Sequence, residues 1–239
     1  MNYIRHVFPM LAFTASMLLG VSIAVTPATA SIITYSFNGP VTSVQNKLNP
    51  PFFVDTTNTT AMFGSMTVNG DVDHDSNANH RFGVYTITAF NVNIEGKDYG
   101  LGSDNLVVIR NGLPGQDRFI VSVSSPTGPN VVPPTGPVLH PNLFEIILHA
   151  PGGPGGIGTA FNSDALPASM PPSINSVFNL KNQWRLVFEP GGKQLKGFIS
   201  SVTASVVPLP AAVILFGAGL VALVGLGAGS WRKMKNSLA

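Results

Sequence analysis

Between Asp71 and His80 the chain reads Asp71-Val72-Asp73-His74-Asp75-Ser76-Asn77-Ala78-Asn79-His80, with a carboxylate or amide oxygen at every second position. Hard oxygen donors at that spacing suit Ca2+, which takes roughly six to eight oxygen ligands. Asp71, Asp73 and Asp75 are the candidate ligands. His74 and His80 add nitrogen donors, the mixed set that a transition metal accepts. The competing reading is a solvated acidic loop after the Asn69-Gly70 turn. Either way, this is the segment of the chain with metal-ligand density.

The pattern Asp71-x-Asp73-x-Asp75-x-Asn77-x-Asn79 is similar to the start of an EF-hand loop, but Ser76 stands where that loop bends on a glycine. Phe82 stands where a bidentate glutamate closes it. Catalytic signatures are missing: there is no G-x-S-x-G elbow, S-x-x-K or H-E-x-x-H. The glutamates are Glu95, Glu145 and Glu189, and two of them abut turn signals, so the facing carboxylates of a glycosidase are not in view. The glycine-rich stretch from Pro151 to Gly158 lacks the Lys-Ser/Thr of a phosphate cradle. With no cysteine, thiolate metal sites and thiol nucleophiles are excluded. Catalytic residues: none expected. Trp184, Tyr85, Phe90, Tyr99, Phe144 and Phe188 are either core or a sugar-stacking platform. His140 and His149 bracket a β run and are expected at its ends.

The elements that must position these residues are strands. Apolar and polar residues alternate over Ile32–Phe37, Met62–Val68, Gly83–Ile94 and Gln183–Glu189, with shorter runs at Val41–Gln45, Leu106–Arg110, Arg118–Ser124 and Leu143–His149. Gln194–Val206 reads as one return strand after the Pro190-Gly191-Gly192-Lys193 turn. Asn49–Thr60 reads as a loop and Glu95-Gly96-Lys97-Asp98 as a tight turn. Eleven of the 20 prolines fall between Pro126 and Pro172, which marks 126–176 as surface loops or extended linker around the Leu143–His149 strand. About nine short strands without helical periodicity predict an all-β fold, an antiparallel β-sandwich or jelly-roll-like ectodomain over residues 31–206.

Both ends carry a different composition. Arg5 and His6 precede the apolar stretch Val7–Val25, and Ala28-Thr29-Ala30 forms an A-x-A box before Ser31, so residues 1–30 read as a signal peptide cut by signal peptidase. At the other end Val207-Pro208-Leu209-Pro210-Ala211 opens an uncharged run, 211–231, long enough for a transmembrane helix, followed by the basic tail Arg232, Lys233, Lys235. These segments hold four of the thirteen Lys and Arg and none of the eleven acids, leaving the body at −2 although the whole chain is +2. The basic balance therefore belongs to the ends, and a nucleic-acid partner is not expected.

The C-terminal segment resembles the PEP-CTERM class of exosortase-dependent sorting signals, in the variant that opens Val-Pro-Leu-Pro-Ala. The resemblance rests on Val207 to Ala212, on Leu215-Phe216-Gly217-Ala218-Gly219-Leu220 and on Arg232-Lys233-Met234-Lys235. It implies a membrane-embedded exosortase-type protease as partner, removal of the span, and export to the cell surface or extracellular matrix of a Gram-negative bacterium, in association with exopolysaccharide. The expectation is thus an exported, non-enzymatic surface or matrix protein without a cofactor. The alternatives are a Ca2+-dependent carbohydrate-binding module and a permanently anchored type I membrane protein.

Overall fold

Alternation of apolar and polar side chains decides where the chain pairs. The computed structural model describes residues 32–55, 57, 61–70, 74–75, 81–113, 116–152 and 160–207. These form β1 (Ile32–Gly39), β2 (Ser43–Val44), β3 (Met62–Asn69), β4 (His74–Asp75), β5 (Phe82–Ile94), β6 (Lys97–Gly100), β7 (Asp104–Leu113), β8 (Gln116–Ser124), β9 (His140–Pro151), a helical turn α1 (Ile174–Val177), β10 (Lys181–Glu189), β11 (Lys193–Gly197) and β12 (Ser201–Val207). In β1 the odd-numbered Ile33, Tyr35 and Phe37 are buried, while Thr34, Ser36 and Asn38 are not. In β10 Trp184, Leu186 and Phe188 are buried. That is the period of two expected for half-buried strands.

All strand pairings are antiparallel, in the order β12-β1-β3-β5-β7-β8-β9-β10-β11-β2, with β4 and β6 also on β5. The sheet curls because β5 serves two neighbourhoods. Its first half, Phe82–Thr86, pairs with β7, and its second half, Ile87–Ile94, pairs with β3 across a register shift at Thr67/Val68. Such a bulge bends the strand. The two halves of the sheet then face each other across one core. Tyr35 of β1 meets Phe119 of β8 edge-on at 5.5 Å, and Phe90 of β5 meets Phe144 of β9 at 5.2 Å.

The opposite side closes through the first two and last two described strands. β1 pairs with β12, and β2 pairs with β11, so one two-stranded ribbon crosses from the first half-sheet to the second. At the crossing the two backbones nearly touch: a Cβ on Gly39 would overlap the Phe198 carbonyl, and one on Gly197 the Pro40 carbonyl. Trp184 donates its indole N–H to Pro40 O at 3.1 Å, and Asn182 brackets Ile199, accepting from its N–H and donating to its carbonyl, both at 2.8 Å. The expected single strand Gln194–Val206 is therefore two strands, broken at Phe198–Ser200 where it changes half-sheets.

Three further expectations are refined. The described part of Asn49–Thr60 is a loop, as expected, and it is anchored: Phe52 is fully buried and packs on Phe188, and both Glu95 carboxylate oxygens accept the Phe53 N–H. The turn at Glu95-Gly96 leads straight into β6, which folds back on β5. The proline-rich window is also more than surface loop or linker. Val131, Leu139, Phe161, Leu166 and Ile174 all enter the core.

Residues 160–167 plug one end of the core through polar pins. The fully buried Asp117 accepts from the N–H groups of Gly112, Ala160 and Phe161 at 2.9, 2.7 and 2.9 Å. Tyr35 and Tyr85 donate to the carbonyls of Pro167 and Asp164, each at 2.8 Å. Asp117→Ala strands three backbone donors, and unmade buried hydrogen bonds each cost about 1–3 kcal/mol. Urea unfolding should show a loss of at least about 3 kcal/mol, smaller in Asp117→Asn. Tyr99 gives the contrast, since its buried hydroxyl has no partner among the described residues. Tyr99→Phe should leave the urea midpoint unchanged or higher, whereas Tyr35→Phe should cost about 1 kcal/mol.

Candidate functional site

The expected site residues fall into three groups. Asp71 and Asp73, with His80, lie outside the described residues, and His74–Asp75 is described only as the short strand β4 against Val84 and Gly83. Among the described residues no three His, Asp or Glu side chains gather as a metal site. Ala28, Ala30 and Ser31, the motif from Pro208 to Ala211, and Arg232, Lys233 and Lys235 also lie outside. Val207 is the exception, as the last residue of β12, opposite Ile32. Among the described residues no helix is long and apolar enough to cross a membrane.

The aromatics are core rather than a sugar-stacking platform. Tyr85, Tyr99, Phe144, Trp184 and Phe188 are at most 1% exposed and Phe90 is 7% exposed. They lie on the inward positions of strands that face a second layer, where ring-on-ring packing replaces contact with water. Burial raises the Tyr35 phenol, with Tyr85 adding to it, and burial alone raises that of Tyr99.

His140 opens β9, as expected, whereas His149 lies inside the strand, which runs on to Pro151. His140 shares a shallow groove with Ser125 and Glu189, and Asn130 is 2.9 Å from its Nδ1. Ser125 has the left-handed backbone angle φ 50°. This brings a serine, a histidine and a carboxylate to one place, but no hydrogen bond joins Ser125 to His140. All three are exposed, so no base is in position to activate the hydroxyl.

The outward faces carry what sequence reading missed. On the first half-sheet, Ser36, Asn38, Phe63, Ser65, Asn91, Ser201 and Thr203 line a shallow groove of about 530 Å3. It is uncharged, its polar groups are hydroxyls and amides, and its aromatic Phe63 is 55% exposed. Such a surface offers hydrogen bonds and one stacking face to a neutral polyol. The alternation of Met62-Phe63-Gly64-Ser65-Met66 held the signal, because Phe63 falls on the polar phase of its own strand.

The second half-sheet is different. Its register aligns Phe82 with Arg110, Arg110 with Arg118, Arg118 with His149, and His149 with Lys181. Four adjacent strands thus carry a basic residue at one level. The guanidinium of Arg110 lies over the Phe82 ring at 5.1 Å, and Arg118 donates to Gln116 Oε1 at 3.3 Å. One pleat away lies an apolar row, Val84, Val108, Ile120 and Ile147, followed by a row with the ion pair of Arg185 and Glu145. Burial first, then Arg118, Lys181 and Arg110, hold His149 below the usual histidine range.

The chain matches no family model, no curated protein and no solved structure.

A depressed histidine makes the fold sensitive to acid. Below the ordinary histidine value the unfolded chain binds a proton that folded His149 refuses, so its contribution, present above that value, is lost as the pH falls through the folded one. Thermal unfolding from about pH 7 to about pH 5 should therefore show a smaller fall in Tm for His149→Gln than for the parent chain.

Proposed function

We propose that this chain is an exported, non-enzymatic surface or matrix protein, delivered through its Val-Pro-Leu-Pro-Ala signal and associated with exopolysaccharide. The observation that carries this reading is the register at the end of the body. Ile32, two residues past Ala30, lies opposite Val207, the first residue of the sorting motif. The two segments thus adjoin neighbouring strand ends. A cut on the outer side of Ile32 and one beyond Val207 leave all seven paired positions of β1 and β12 in place. Processing at both ends therefore removes none of the described core residues, which suits an address that is read and discarded.

The uncharged groove around Phe63 supports the polysaccharide association, since its hydroxyls and amides match sugar hydroxyls and its ring matches a sugar face. Neither the groove nor the histidine groove supplies a positioned nucleophile and base, which favours binding over turnover.

Tagged chain followed in cells with and without the sorting protease tests the reading. The expected result is a shortened, released body only where the protease is present, with mass spectrometry placing the new ends near Ser31 and just beyond Val207. Unchanged size and membrane retention in both strains would sink the proposal in favour of a permanent type I anchor.

A further inference from the structure

We propose that the outer face of the second half-sheet binds a linear acidic polysaccharide, whose carboxylates lie along the row Arg110, Arg118, His149 and Lys181. The proposal deepens the association with exopolysaccharide and depends on the export reading for access to such a polymer, but the binding itself is a property of the folded chain.

The row is hard to explain as a device for stability. Like charges directly opposite on neighbouring strands destabilise a sheet, yet Arg110 faces Arg118, and His149 lies between Arg118 and Lys181. The body has more acids than bases, so a neutralising carboxylate was not in short supply. Two rows away on the same face Arg185 has one in Glu145. Among the described residues none of the four basic residues of the row has such a partner, and Arg110 Nε is buried without an acceptor.

The arrangement also looks preset for carboxylates. Phe82 supports the Arg110 guanidinium and Gln116 holds that of Arg118, so less side-chain freedom is lost when each fork takes a carboxylate in two parallel bonds. Neighbouring strands are about 4.8 Å apart, which makes the row about 14 Å long and one residue wide. A line of that shape fits a chain with repeating charges better than a planar lipid surface. The adjoining Val108, Ile120 and Ile147 give the carbon face of a sugar ring an apolar strip to lie on. Bases of single-stranded nucleic acid need free aromatic faces, and the ring of Phe82 is already covered by Arg110. An anion against His149 opposes the Arg118, Lys181 and Arg110 charges around it, so binding draws in a proton and strengthens as the pH falls.

The test uses the full chain in neutral detergent with polygalacturonate as probe, and titration calorimetry as readout. The expected result is saturable binding that weakens with added salt and tightens from about pH 7.5 to about pH 5.5, where the probe's carboxylates stay ionised. Arg118→Gln combined with Lys181→Gln should weaken binding at least about tenfold while leaving Tm nearly unchanged, because each removes a charge from a half-buried, outward-facing position and keeps most of the side chain. His149→Gln should remove the pH dependence, and Lys193→Gln, a cation outside the row, should change nothing.

No binding at low salt, or an equal loss in Lys193→Gln, would overturn the site. Equal affinity for duplex DNA or for vesicles of anionic phospholipid would overturn the polysaccharide as its occupant. Failure here with normal processing in cells leaves the export reading standing, and binding without processing does the reverse.

Discussion

The indole of Trp184 reaches from β10 to the carbonyl of Pro40, and on that contact the closure of the sheet depends. A curled antiparallel sheet of this size leaves two edges, and exposed edges invite pairing with other chains. Here the ribbon made of β1–β2 and β11–β12 turns from one half-sheet to the other, giving both halves a terminal strand. The turn works only because Gly39 and Gly197 have no side chains where the two backbones meet. Asn182 then satisfies the N–H and the carbonyl of Ile199, which the change of sheet takes out of the ladder.

With the side closed, the end of the core needs a cover, and the proline-rich segment supplies it. Prolines cannot donate to a ladder, so apart from β9 this stretch adds no named strand among its described residues. It is held instead by acceptors and donors that the strands provide: the buried Asp117 on one side, Tyr35 and Tyr85 on the other. Its apolar residues, Phe161 and Leu166 among them, then fall into the gap between the half-sheets. Without a disulfide in the chain, these side-chain-to-backbone bonds and the aromatic core hold the body together.

Closing the core also defines two unlike outer surfaces. One has an uncharged groove of hydroxyls and amides around Phe63; the other lines up Arg110, Arg118, His149 and Lys181 in one row beside aliphatic residues. A body with a small net charge can still be strongly patterned, because register, rather than composition, decides which charges become neighbours.

The sequence alone determined the β class, the phase of each long strand and therefore most of the core, since a period of two needs no knowledge of partners. Trp184, Leu186 and Phe188 were legible in this way, and so was the start of β9 at His140. What the tertiary structure decided is everything that depends on a residue distant in the chain. Arg110, Arg118, His149 and Lys181 are unremarkable in sequence and become a row only when four strands come into register. Asp117 sits on an inward position where a carboxylate looks out of place until the N–H groups of Gly112, Ala160 and Phe161 converge on it. The break of Gln194–Val206 at Phe198 was hidden for the same reason: alternation reports which face a side chain takes, but not which sheet its strand has joined.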